Sequence, residues 1–175
     1  MKRWLLIIGA LVVLLAAGVV AYQRSRAVGN DVFRTREVLV TFRDATEVTA
    51  ERLHYRRSSP QNPFRLDSYD HDAPVAVASV DAQEMQRLLV QRSSYVWESA
   101  KACAPDYGMV FTFRRAGAIV RVALCFECEM LGVFDGARSD AQGINAEGDF
   151  DPITAPLAAI AKHTFPSDPE IQRLP

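Results

Sequence analysis

The chain has 175 residues, 49% hydrophobic and 23% charged, with a formal net charge of −1. Residues 1–26 carry four of the 20 basic residues (Lys2, Arg3, Arg24, Arg26) and none of the 21 acidic ones, so the remaining 149 residues have a net charge of −5. That remainder is large enough for one compact domain with a real core. It is too acidic for a nucleic-acid binder that works by neutralising phosphates, too apolar to be disordered, and too poor in cysteine for a disulfide-dense scaffold.

Met1-Lys2-Arg3 is a short positive start, and Trp4 to Tyr22 follows without a charge. As a helix this run is about 28 Å long, close to the hydrocarbon thickness of a bilayer. Trp4 and Tyr22 stand at its two ends, where amphipathic rings favour the interface. The run is apolar on every face, unlike a buried core helix, and is longer than the usual apolar region of a secretory signal. The expectation is an uncleaved anchor through residues 4–22, with cleavage after Ala21 as the alternative. The usual start-of-chain arrangement places the domain outside the inner membrane, in the periplasm. Residues 1–26 are therefore expected to anchor or export, residues 27–35 to tether, and residues 36–175 to form a single α+β domain.

Glu37 to Phe42, with its β-branched and aromatic residues, reads as a first strand, and Glu47 to Tyr55 as a weaker second one. Ser58 to Asp72 reads as loop, and Pro74 to Ser79 as a short apolar strand. Asp81 and Glu84 are spaced as a capping box, with Val80 and Met85 as the staple of a helix that buries Met85, Leu88 and Leu89. Tyr95 to Cys103 reads as a strand, on which Tyr95 and Trp97 belong to the core. Tyr107 to Arg114 and Ala118 to Phe126 alternate cleanly and form a hairpin. An even loop around Arg115-Ala116-Gly117 puts both apolar sets on one face, whereas an odd loop without a bulge would turn Arg121 inward. Met130 to Phe134 is one more strand, and 135–150 a surface loop. Asp151-Pro152 opens a last helix with Ile153, Leu157, Ile160 and Ala161 inward, its end complemented by Lys162 and His163. The fold class is α+β, an antiparallel sheet of about five strands with two packed helices, plus the N-terminal transmembrane or signal helix.

The cysteines are Cys103, Cys125 and Cys128. With the hairpin loop at Arg115-Ala116, Cys103 falls opposite Cys128; with the loop at Ala116-Gly117 the two are diagonal. Either register sets Cys125 on the other face. A Cys103–Cys128 disulfide closing the open end of the hairpin suits an oxidising compartment and is the preferred reading. The alternatives are a zinc site on all three thiolates, with Asp106, His54, His71 or His163 as fourth ligand; thiol exchange at Cys125-Phe126-Glu127-Cys128, disfavoured by the flanking Glu127 and Glu129; and three unlinked buried residues. Cys103-Ala-Pro-Asp-Tyr-Gly108, then Phe111 and Phe113, then Val122-Ala-Leu-Cys-Phe-Glu-Cys128 resembles a pattern found in uncharacterised bacterial envelope or secreted proteins: C-x-P-x-x-G, a hydrophobic hairpin and C-F-x-C. The resemblance spans about residues 95–135. It implies that the three cysteines act as one unit, and it implies no reaction.

Asp67-Ser-Tyr-Asp70-His71-Asp72 and Glu147-Gly-Asp149-Phe-Asp151 are rich in oxygen ligands but read as solvated loops. Arg52, Arg56 and Arg57 read as a solvated basic strand end, and His54 and His163 as surface or helix-end residues. No nucleophile elbow, zinc-protease, P-loop or dinucleotide motif is present. The expectation is an envelope-anchored or exported non-catalytic module that binds a protein partner or helps an assembly; the alternative is a zinc or thiol-redox protein using Cys103, Cys125 and Cys128.

Overall fold

A computed structural model describes residues 18, 32–56, 62–98, 101–136 and 146–175. Among them are three α-helices and an antiparallel sheet of seven strands, against the two helices and about five strands expected. The helices are α1 (Arg36–Arg43), α2 (Ser79–Leu89) and α3 (Thr154–Thr164). The strands are β1 (Glu47–Tyr55), β2 (Tyr69–His71), β3 (Val75–Ala76), β4 (Met109–Arg115), β5 (Ala118–Cys125), β6 (Met130–Asp135) and β7 (Ala146–Asp149). The sheet runs β2-β1-β4-β5-β6-β7, and β3 adds to the outer side of β1 next to β2. Among the described residues no helix is long and apolar enough to cross a membrane; the expected anchor at 4–22 lies, Gly18 apart, outside them.

The expected strand at Glu37–Phe42 is a helix. Thr35 caps it by accepting the Val38 amide at 3.2 Å. Val38, Thr41 and Phe42 fall at helical spacing and are buried. Phe42 sits 4.5 Å, ring to ring, from Phe113 and 4.7 Å from Phe33. Packing on the sheet thus overrides the β-propensity of Val38-Leu39-Val40-Thr41. The hairpin forms as expected, with Ala116-Gly117 as its two-residue loop and the register Arg115↔Ala118 through Met109↔Leu124. Both loop residues have positive φ (47° and 85°), the geometry that matches strand twist.

Alternation along β4, β5 and β6 gives the sheet two apolar faces. Phe111, Phe113, Val122, Leu124, Leu131 and Val133 meet all three helices in the main core. On the opposite face Val110, Ala123, Cys125 and Phe134 meet Leu66, Tyr69 and Tyr107, which come from loops and the short β2. Each fully buried Phe or Leu contributes about 2 kcal/mol.

Four local expectations are corrected. Helix α2 begins at Ser79, without a side-chain cap, and Val80 is 69% exposed, so the staple does not form. The carboxylate of Asp81 instead meets Nδ1 of His163 at 3.3 Å. Around Tyr95 there is no strand: a 3₁₀ turn at Arg92–Ser94 leads to one bridge, Val96 to Asp149. Tyr95 is buried and donates to the Leu89 carbonyl at 2.6 Å. Asp151 does not cap α3 but starts a 3₁₀ turn, Asp151–Ile153, with its carboxylate turned to Lys101. Edge strand β7 lies within the expected loop 135–150. Ile153, Leu157, Ile160 and Ala161 are buried as their spacing requires.

Candidate functional site

The end of the sheet away from the Ala116-Gly117 loop gathers the cysteines. Cys103 and Cys128 form a disulfide with Cα atoms 6.3 Å apart. Cys125 is free and fully buried, and its sulfur accepts the Cys128 amide at 3.4 Å. Burial pushes the Cys125 thiol up, against the pull of the Cys128 and Asp106 amides. A thiol that is hard to ionise and out of reach is a poor nucleophile. The expected separation of Cys125 from Cys128 by sheet face does not hold. The Phe126–Glu129 turn, with Glu129 at φ 52°, folds Cys128 back into the same apolar cluster.

A zinc site on the three thiolates would first require this bridge to be reduced. The proposed fourth ligands lie apart. His54 faces Asp72 at 3.2 Å, His71 faces Glu51 at 2.7 Å, and His163 faces Asp81. Asp106 lends its backbone amide to Cys125. Among the described residues no group of three or more such ligands stands ready for a metal.

Lys101 holds the exposed arm of the bridge. Its ammonium donates to the Cys128 carbonyl at 2.6 Å and to Asp151 at 2.8 Å, and lies 3.6 Å from Glu129. Thr154, at the start of α3, donates to Glu129 at 2.9 Å. Burial works against the charged form of Lys101, but the hydrogen bond and charge of Asp151 leave its pKa raised. The segment entering the disulfide is thereby tied to the turn and to α3.

Arg52 organises the neighbouring surface. It is 6% exposed, on the helix-facing side of β1. Nε donates to Asp168 at 2.6 Å, Nη2 to Glu170 at 2.9 Å, and Nη1 to the Gly108 carbonyl. Gly108 suits this approach, because a Cβ there would stand 3.2 Å from Nη1. The segment from Phe165 to Leu174 is therefore strapped across the end of the sheet. Within it Asp168 also accepts the Glu170 and Ile171 amides, Ile171 is buried, and Lys162 donates to the Leu174 carbonyl at 2.6 Å. The sequence reading of Arg52 as a solvated basic residue is thus corrected. Val48, Ala50 and Arg52 share one face by period two, and that alternation was the available signal. Arg56, exposed as expected, pairs with Asp70 at 2.6 Å; Arg57 lies outside the described residues.

A cleft opens on each side of the Arg52–Glu170 pair. One, of about 570 Å³, runs past His54, Asp72, Val75, Phe165 and Ser167. The other, of about 440 Å³, runs past Tyr55, Asp106, Phe126, Glu127 and Leu174. Arg52, His54 and Glu170 border both, so the two make one groove with a saddle. Asp106, Phe126 and Glu127 belong to the two segments joined by the disulfide, which fixes that wall. His54, Asp72 and Ser167 share a cleft, but among the described residues no hydrogen bond links a hydroxyl to the imidazole. In the acidic loops, Arg65 holds Asp67 at 2.5 Å, and Asp149 is buried at 9% exposure. Comparison with family models, with curated proteins and with solved structures returns no match.

Proposed function

We propose that this chain is an envelope-anchored or exported, non-catalytic binding module that presents the saddle groove to a protein partner in the periplasm. The observation that carries the reading is the groove itself: two clefts of ligand-pocket size meet over a buried Arg52 held by three hydrogen bonds. One wall is fixed by the disulfide and the other by the strap, so little ordering is left to be done on binding. Support from the sequence comes from the apolar run at residues 4–22 and the acidic domain behind it. A photo-crosslinking side chain placed at Phe126 of the full chain in membranes tests the proposal. The expected result is a discrete adduct with one envelope protein, lost when Val75, exposed on the cleft wall, is replaced by Trp to fill the groove. Saturable turnover of a small substrate, abolished by one groove substitution, would overturn it.

The second reading, a zinc or thiol-redox protein, draws on the meeting of three sulfurs at one end of the hairpin. Metal analysis and thiol counting on protein from an oxidising compartment separate the two. One free thiol and no bound metal favours the binding module, and three unreactive thiols with bound zinc favour the alternative.

A further inference from the structure

We infer that the occupant of the groove is an extended, lysine- or arginine-bearing segment of a partner protein, with aliphatic side chains between its cations. This rests on the binding role proposed above and names the chemistry of the partner. Five carboxylates line the groove: Asp72, Asp106, Glu127, Asp168 and Glu170. Against them stand the guanidinium of Arg52 and the imidazole of His54. Arg52 is buried and already engaged by Asp168 and Glu170, so its charge is compensated from within. The Glu170 and Asp72 side chains are 75% and 58% exposed. Glu127 is exposed and makes no ion pair among the described residues. The groove thus attracts cations and repels anionic lipid and nucleic acid.

Charge alone would fit a polyamine or a metal ion. The remaining lining argues for polypeptide. Val75, one of two large hydrophobic residues exposed among those described, borders one cleft. Phe126 and Leu174, both half-buried, border the other. Each cleft therefore pairs an apolar wall with carboxylates at its rim. The saddle between them calls for a ligand that drops side chains on both sides of a narrow crossing. An extended chain does this with residues two apart, at about 6.6 Å spacing. Opposite charges at the rim guide encounter and choice of partner more than they add affinity.

The test is fluorescence anisotropy with the oxidised full chain in non-ionic detergent. The probe is a labelled heptapeptide of alternating lysine and valine, compared with its glutamate–valine counterpart and with spermine as competitor. Binding of the lysine peptide is expected to saturate and to weaken at least ten-fold between 0.05 and 0.5 M salt. The glutamate peptide is expected not to bind, and spermine not to displace the lysine peptide at equal charge concentration. The double variant Asp72→Asn/Glu127→Gln should weaken binding at least five-fold with an unchanged melting temperature. A charge-matched control at the hairpin end, Glu47→Gln/Asp135→Asn, should stay within two-fold of the parent. Equal loss in both double variants, equal binding of both peptides, displacement by spermine, or no binding would each overturn the inference. A Phe126 adduct with a partner whose contact segment is neutral or acidic would leave the binding role standing and remove this assignment alone.

Discussion

The guanidinium of Arg52 divides its donors between two parts of the chain: two carboxylates of the strap, Asp168 and Glu170, and the carbonyl of Gly108 just before β4. Lysine offers one compact ammonium in place of that fork. Arg52→Lys is expected to cost about 1–2 kcal/mol in urea unfolding, and Arg52→Met about 2–4 kcal/mol, since it strands the Gly108 carbonyl and Asp168. Equal stability of the parent and Arg52→Met would show that the strap is held by apolar contact alone. Asp168 adds a pH dependence. Partial burial disfavours its charged form, but the Ile171 amide and the hydrogen bond and charge of Arg52 outweigh this and hold its pKa below the ordinary 3.8. Its contribution is therefore fully present above pH 3.8 and is lost as pH falls through the lower folded value. Asp168→Asn keeps an oxygen for the two amides but not the charge. The variant should melt below the parent at pH 7, and the gap should close on acidification below about pH 4.

Among the elements, the β4–β5 hairpin shows how much can be read from alternation. Tyr107 to Arg114 and Ala118 to Phe126 repeat with period two, and only an even loop keeps Arg121 out of the main core. The choice of Ala116-Gly117 over Arg115-Ala116 was not legible, because alanine carries no preference for positive φ. Ala116 sits at φ 47° all the same. Ala116→Asn supplies the residue type that this turn favours, and should raise stability by about 0.5–1 kcal/mol, read as a shift of the urea midpoint at constant slope. Helix α1 shows the opposite case. Val38-Leu39-Val40-Thr41-Phe42 has strand composition, while the deciding features are the Thr35 cap and the fit of Phe42 between Phe33 and Phe113. The second of these is a tertiary contact that propensity does not contain. Strand β7 was hidden for a related reason. It is short, lies on the edge, and carries Gly148 where the Tyr95 ring leaves no room for a side chain: a Cβ there would stand 2.9 Å from it.

On the scale of the whole molecule, the α+β class and the antiparallel sheet were legible, because each follows from local period; the Cys103–Cys128 bridge is the expected one, but the face argument for it fails at the Phe126–Glu129 turn. The groove was not legible. Its parts come from β1, the Cys103–Gly108 segment, the Phe126 turn and the C-terminal strap, which are far apart in sequence and meet only through the sheet order. The disulfide bears on all of them. It spans a sequence separation of 25 residues, and a closed loop of that length is worth about 3 kcal/mol. Cys128→Ala should therefore destabilise the domain by about that amount, against about 1–2 kcal/mol for Cys125→Ala, which leaves only a small void in a packed cluster. Melting temperatures of the two variants under non-reducing conditions decide this, and equal values would contradict the structural weight given to the bridge.

The burial of Cys125 also bears on how the right bridge is chosen. Three thiols allow three pairings, and an oxidant alone does not distinguish them. The fold does. In the folded domain Cys125 is enclosed with Val110, Ala123, Leu66, Tyr69 and Tyr107 and is withdrawn from exchange, while Cys103 stays exposed at the surface. Tertiary burial, rather than the oxidant, is what keeps the third thiol apart: it takes the assembled cluster, including Leu66, Tyr69 and Tyr107, to cover Cys125.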